Sequence, residues 1–157
     1  HLDALTWKGQ SILGVIDQPI LKERWVGCAG QPTRMNGNKV VANATRTLPD
    51  ATLFTTSIEM FTAADRPCFQ ALSDQTGIKR HAGDCYAYGL LASGFADLVV
   101  ESEVKPYDFA ALVPVVQGAG GAIGDWAGRT LPMDRNSRVL AAANPALLKE
   151  AAAILSA

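Results

Sequence analysis

From residue 83 onward, helix-start and strand signals alternate at short intervals, and that alternation most constrains the fold. Asp84 can cap a helix running through Tyr88 and Leu91, with Gly94 as its stop. Asp97 to Glu101 is an apolar strand that ends in polar residues. Pro106-Tyr107-Asp108 opens a second helix finishing at Gly118-Ala119-Gly120-Gly121, and Pro114 inside it should bend it or open its first turn. Ala122 to Trp126 reads as a strand, Ala127-Gly128-Arg129 as a turn and Arg138 to Ala142 as a final strand. Asn144-Pro145 then combines a cap with proline at the first helical position. Strands alternating with helices predict an α/β fold, a layered sandwich of sheet and helix.

The first half is richer in strand signals. Leu2 to Thr6 and Ser11 to Asp17 read as a hairpin around a Lys8-Gly9 turn, stopped by Pro19. Arg24 to Cys28 is a further short strand, and Met35-Asn36-Gly37-Asn38 carries the signal of a tight hairpin turn. Ala51 to Ser57 is β-rich, Arg66 to Asp74 has the spacing of a short helix with Pro67 in its first turn, and Ile78 to His81 is a strand. No repeat, linker or low-complexity tract interrupts the chain, so a single domain is expected over residues 1–157.

Composition excludes several classes of function. Apolar residues make up 48% of the chain and charged ones 18%, below the usual share of about 25%, as in a core-rich domain with some surface to be covered. The net charge of −1 leaves no electrostatic footprint for nucleic acid. Apolar runs such as Ala110 to Val116 are too short to span a bilayer, and no signal peptide is visible, so a cytoplasmic protein is expected. Cys28, Cys68 and Cys85 are odd in number and far apart, which argues against a disulfide framework or a zinc site. His81 is the only histidine besides His1, so a histidine-based triad is poorly supported.

Three acids sit at the boundaries of the expected elements: Asp84 and Asp108 at helix starts, Glu101 at a strand end. In α/β folds strand ends and helix starts converge on one edge, where ligands bind. A helix N-terminus favours the anionic form of a carboxylate, and carboxylate oxygens suit Mg²⁺, a hard cation that takes one or two of them besides water and phosphate. The plainer alternative is that Asp84 and Asp108 are only helix caps.

Tyr107-Asp108-Phe109-Ala110-Ala111 followed by Gly118-Ala119-Gly120-Gly121 resembles the second signature of the inositol monophosphatase superfamily. Ala96 to Glu101 matches the strand that precedes it there. Gly83-Asp84-Cys85-Tyr86-Ala87-Tyr88, Leu13-Gly14-Val15-Ile16-Asp17-Gln18-Pro19 and Glu23-Arg24-Trp25-Val26-Gly27 look like the histidinol-phosphate phosphatase branch. The similarity runs over nearly the whole chain and implies an Mg²⁺-dependent phosphate monoester hydrolase.

On that resemblance Asp108 would be a metal ligand, Glu101 would lie beside the non-phosphate part of the substrate, and Asp84 would face a cationic amine or imidazole. Arg80 and Tyr86 are further candidates for the same pocket, with packing or surface roles as the alternative. Glu103 and Lys105 read as solvated, and Thr55, Thr56 and Ser57 have no evident partner that would make one a nucleophile. Family members hold their metals with a Glu-Glu pair and an Asp-Pro-x-Asp-Gly-Thr loop upstream of the matched region. Neither occurs here, so the resemblance implies a C-terminal part without the N-terminal metal-binding part. No residue of this part is assigned as catalytic. The partner implied is a small phosphate monoester, with no nucleic acid and no membrane, and homodimerisation would fit the low charge fraction. Two alternatives stay open: an inositol or sugar phosphatase, and a non-catalytic fragment or folding domain.

Overall fold

The computed structural model describes residues 1–44 and 47–157. Strands β1 (Leu2–Trp7), β2 (Gln10–Gln18), β3 (Glu23–Cys28), β4 (Arg34–Met35) and β5 (Asn38–Lys39) pair in sequence order as an antiparallel meander. Trp7 pairs with Gln10, leaving Lys8 and Gly9 as the loop at φ 48° and 74°. Met35 pairs with Asn38, leaving Asn36 and Gly37 at φ 48° and 85°. Positive φ at both central residues is the type I′ geometry, whose twist matches that of the flanking strands. Both hairpins stand where the Lys-Gly and Asn-Gly pairs place them.

The second sheet is mixed, in the order β7-β6-β8-β10-β9. Its strands are β6 (Thr52–Thr55), β7 (Ile78–His81), β8 (Leu98–Val104), β9 (Ala122–Asp125) and β10 (Ser137–Ala142). β6 runs parallel to β7 and β8, and β10 runs antiparallel to β8 and β9. Helices α1 (Asp65–Ser73), α2 (Asp84–Ala92), α3 (Pro106–Phe109), α4 (Leu112–Gly118) and α5 (Pro145–Leu155) complete the chain. Asn144 accepts the Leu147 N–H at 2.8 Å, so the expected cap of α5 is made.

Side-chain alternation along β8 explains the layering. Val99 joins Ile16, Trp25, Leu91 and Val115 in one core, between the two sheets and around α2 and α4. Its neighbours Leu98 and Val100 join Leu53, Phe69, Leu72 and Leu147 in a second core under α1 and α5. A strand buried on both faces sends successive side chains to opposite layers. The layers are therefore sheet, helix, sheet, helix, as the α/β sandwich reading requires.

The helix expected from Pro106 to Gly118, with a bend or an opened first turn at Pro114, is interrupted at Ala110-Ala111. Pro114 has no N–H to offer the carbonyl four residues earlier, which belongs to Ala110. That carbonyl accepts the Ser11 hydroxyl instead, at 2.6 Å. The meander packs directly on the interrupted helix: a Cβ on Gly14 would stand 1.9 Å from the Ala111 carbonyl oxygen, and one on Gly27 2.4 Å from the Val115 nitrogen. Thr33 closes the same seam by donating to the Val115 carbonyl at 2.7 Å.

Two further boundaries differ from expectation. Asp84 is the first residue of α2 and not its cap; Gly83 holds the cap position at φ 111°. β8 does not end at Glu101 but continues to Val104, because β10 pairs with it as far as Ser137.

Candidate active site

Glu101 faces the same layer as Val99, from which a cleft opens between α2, α3 and the end of β8. The cleft measures about 590 Å³, and its lining includes Asp84, Glu101, Glu103 and Asp108, with Lys105 as its one cationic side chain among the described residues. Tyr88 and Cys85 from α2, Thr56 from the end of β6, and Leu2, Met60 and Leu112 complete much of the wall.

Glu101 is 5% exposed. Its Oε1 accepts the Thr56 N–H at 2.9 Å and the Thr56 hydroxyl at 2.8 Å, while Oε2 is buried without a hydrogen-bond partner among the described residues. Burial raises the carboxyl to about 7; the Thr56 hydrogen bonds oppose the rise, and the Asp84 charge adds to it. Tyr88 lies fully buried, and desolvation lifts its phenol well above the ordinary value. Burial raises the Cys85 thiol as well.

Asp84 and Asp108 are exposed at the cleft wall. No hydrogen bond or ion pair among the described residues occupies either carboxylate. Asp84 stands at φ 42°, a left-handed conformation uncommon outside glycine and asparagine-type residues. Asp108 sits on the single turn of α3, which Pro106 opens.

Asp84, Glu101 and Asp108 thus come together, and the other two sequence candidates do not join them. Arg80 is exposed on β7 and donates to the Lys79 carbonyl at 3.1 Å. Tyr86 points toward the meander: its hydroxyl donates to Glu23 at 2.7 Å, which holds the phenol up to about 12, and its ring meets Trp25 edge-on at 5.6 Å. Neither lines the cleft. Glu103 and Lys105, read as solvated from the sequence, are exposed but form part of its rim. Thr56 was missed as a partner for Glu101 because 45 residues separate them; its place at the carboxyl end of a parallel strand was the available signal.

Behind β8, Asp65 on α1 is 2% exposed. It accepts the Ser102 hydroxyl at 2.6 Å and pairs with Arg138 at 2.8 Å, while Arg138 lies over Trp126 at 5.6 Å. This network pins the strand next to Glu101.

The description "Inositol monophosphatase family" fits residues 4–157 of the sequence. The chain belongs to the inositol monophosphatase family. An inositol monophosphatase from Zymomonas mobilis superposes with a TM-score of 0.96 at 41% identity, over 99% of this chain and 62% of that one. The chloroplastic bifunctional phosphatase IMPL2 of Arabidopsis thaliana is 48% identical over 140 residues, 89% of this chain and 40% of the relative. A histidinol-phosphatase of Chlorobaculum parvum is 35% identical over 140 residues, 88% of this chain and 54% of the relative. The chain therefore spans about half the length of these curated relatives or less.

Inositol monophosphatase family members are metal-dependent, and the cleft residues fit a metal only in part. Exposed carboxylate oxygens such as those of Asp108 are the donors a hard divalent cation prefers. Among the described residues, however, no group of three His, Cys, Asp or Glu side chains forms a ligand set.

Proposed function

We propose that this inositol monophosphatase family member is part of an Mg²⁺-dependent phosphate monoester hydrolase, and that its substrate is histidinol phosphate. One observation carries the substrate reading: among the described residues the cleft gathers Asp84, Glu101, Glu103 and Asp108, with Lys105 as its one cationic side chain. An acidic wall of that kind suits an alcohol bearing an ammonium or imidazolium group far better than a neutral polyol. The histidinol-phosphatase relative supports the same choice.

In this reading Asp108 is one carboxylate donor to magnesium, and the other ligands come from residues outside those described. The bound ion would supply charge stabilisation at the phosphoryl group and an acidified water. The chain's own residues bind and orient the alcohol. Thr56 fixes one oxygen of Glu101 and leaves the other toward the cleft layer, Asp84 supplies an anionic contact from the start of α2, and Tyr88 keeps the floor dry. Residues 1–157 would be the C-terminal part of the enzyme; the share of each relative that they match supports their being a part of it. A reducing compartment such as the cytoplasm fits the unpaired Cys28, Cys68 and Cys85, and no helix among the described residues is long and apolar enough to cross a membrane. Homodimerisation is proposed on the low charged fraction of 18%.

The test is phosphate release by the complete natural protein with Mg²⁺, using histidinol phosphate and inositol phosphate side by side. Preference for histidinol phosphate, lost on chelation, is expected, and Asp108→Asn should lower turnover by orders of magnitude. Preference for inositol phosphate would replace the substrate, and full turnover in the variant would remove Asp108 from the metal site.

The incomplete ligand set favours a second reading for residues 1–157 alone: a substrate wall without catalysis. Phosphate release by this chain in isolation would overturn that reading.

A further inference from the structure

The β8–β10 ladder pairs Glu101 with Val139 and Val104 with Ser137. Ser102 and Glu103 therefore both oppose Arg138, and β8 carries one extra residue at this point: a β-bulge. Bulges redirect side chains next to active sites. Ser102 turns to the buried Asp65, and Glu103 adopts a left-handed backbone at φ 56°.

An acid in that conformation is unfavourable, and glycine would take it without strain. Strain of this kind collects where function needs a side chain in a fixed place. Arg138, the residue opposite, is committed to Asp65 and to the face of Trp126. The Glu103 carboxylate makes no hydrogen bond or ion pair among the described residues. It lines the candidate active-site cleft and also a neighbouring cavity of about 810 Å³ that Arg129, Arg135 and Arg138 border. Glu103 is thus an unpartnered anion at the junction of two cavities.

We propose that Glu103 is a specificity-determining residue, held at the cleft rim by the β8 bulge to contact a cationic group on the alcohol portion of the substrate. This rests on the acidic-cleft reading above. Asp84 lines the wall of the cleft and Glu103 its rim, so the alcohol meets negative charge at more than one point. A ligand with a single hydrophobic or neutral alcohol group would gain nothing from Glu103.

The experiment uses the complete natural protein with Mg²⁺ and compares wild type, Glu103→Gln and Glu103→Gly on histidinol phosphate and p-nitrophenyl phosphate. In both variants the ratio of kcat/KM for histidinol phosphate to that for p-nitrophenyl phosphate should fall about ten-fold, the scale of one charge-assisted contact. The fall should appear in KM more than in kcat. Glu103→Gly should melt no lower than wild type, since glycine suits the left-handed position. An unchanged ratio, or a fall seen in kcat alone, removes Glu103 as a specificity residue while leaving the histidinol phosphate reading intact. A lower melting point in Glu103→Gly refutes the strained-bulge argument. Wild type that hydrolyses p-nitrophenyl phosphate but not histidinol phosphate overturns the substrate reading, and this proposal with it. Wild type inactive on both overturns the phosphatase reading itself.

Discussion

The Ser11 hydroxyl donates to the Ala110 carbonyl at 2.6 Å, and this contact across 99 residues fills the vacancy that Pro114 leaves in the helix. A buried acceptor stripped of its partner costs about 1–3 kcal/mol. Ser11→Ala should therefore destabilise the fold by that amount in urea titration. Adding Pro114→Ala, which returns an N–H within reach of Ala110, should recover part of the loss. A double-mutant cycle that is strictly additive would disconnect the two residues.

Glycine at position 14 is required by contact and not by φ. A methyl group there would stand 1.9 Å from the Ala111 carbonyl oxygen, a backbone atom with no rotamer to yield. Gly14→Ala should destabilise by more than about 3 kcal/mol, the upper end of ordinary overpacking. Gly9→Ala is the control: nothing lies within 4 Å of its Cβ position, and only the positive φ of 74° opposes it. Circular dichroism melts of the two variants would separate close packing from backbone strain.

Glu101 should make stability depend on pH. Its folded carboxyl is raised to about 7 from an ordinary value of 4.5, burial being the main cause. Below the lower value both states hold the proton and the group contributes no difference. Between the two values the folded state keeps a proton that the unfolded state has released, so stability falls as pH rises, by an amount on the order of a few kcal/mol. Glu101→Gln should remove that slope between pH about 4.5 and 7 in urea midpoints. An equal slope in the variant would assign it to another group.

Asp65 is a buried anion whose partners are Ser102 and Arg138, the latter half-exposed. Breaking a fully buried pair costs about 3–5 kcal/mol, and solvent at the arginine reduces this to roughly 1–3. Asp65→Asn should lower stability within that range. Because Ser102 adjoins Glu101, it should also raise the KM of the complete protein for histidinol phosphate, the substrate proposed above. A stability loss with no change in KM would confine Asp65 to the fold.

The parts of this fold legible in the sequence are those decided by local chemistry. Lys8-Gly9 and Asn36-Gly37 name their turns, Asn144-Pro145 names its helix start, and Ile78 to His81 runs from end to end as read. What escaped depends on partners far along the chain. Glu101 looked like a strand end because Ser102 and Glu103 are polar, yet pairing with β10 carries β8 to Val104. The family resemblance named Asp84, Glu101 and Asp108 as site residues, and all three line one cleft. Tyr86 sits on the same helix as Asp84, but the helical turn between neighbours sends its hydroxyl to Glu23. Thr56 is marked only by its place at the carboxyl end of a strand, and pairing it with Glu101, like finding the bulge at Glu103, needs the register of another strand.

The bare glycines where the meander meets α4 have a mechanical result. Backbone meets backbone at Gly14 and Gly27, so at those two points the meander and the Ala110–Val115 stretch are seated by contacts that no rotamer change can relieve. Asp108 stands at the near end of that stretch, whereas Glu101 is tied to the other sheet through Thr56. A residue larger than glycine at either position would displace the backbone that leads to Asp108 while Glu101 stays on the other sheet, so the cleft's width answers to two positions that do not line it.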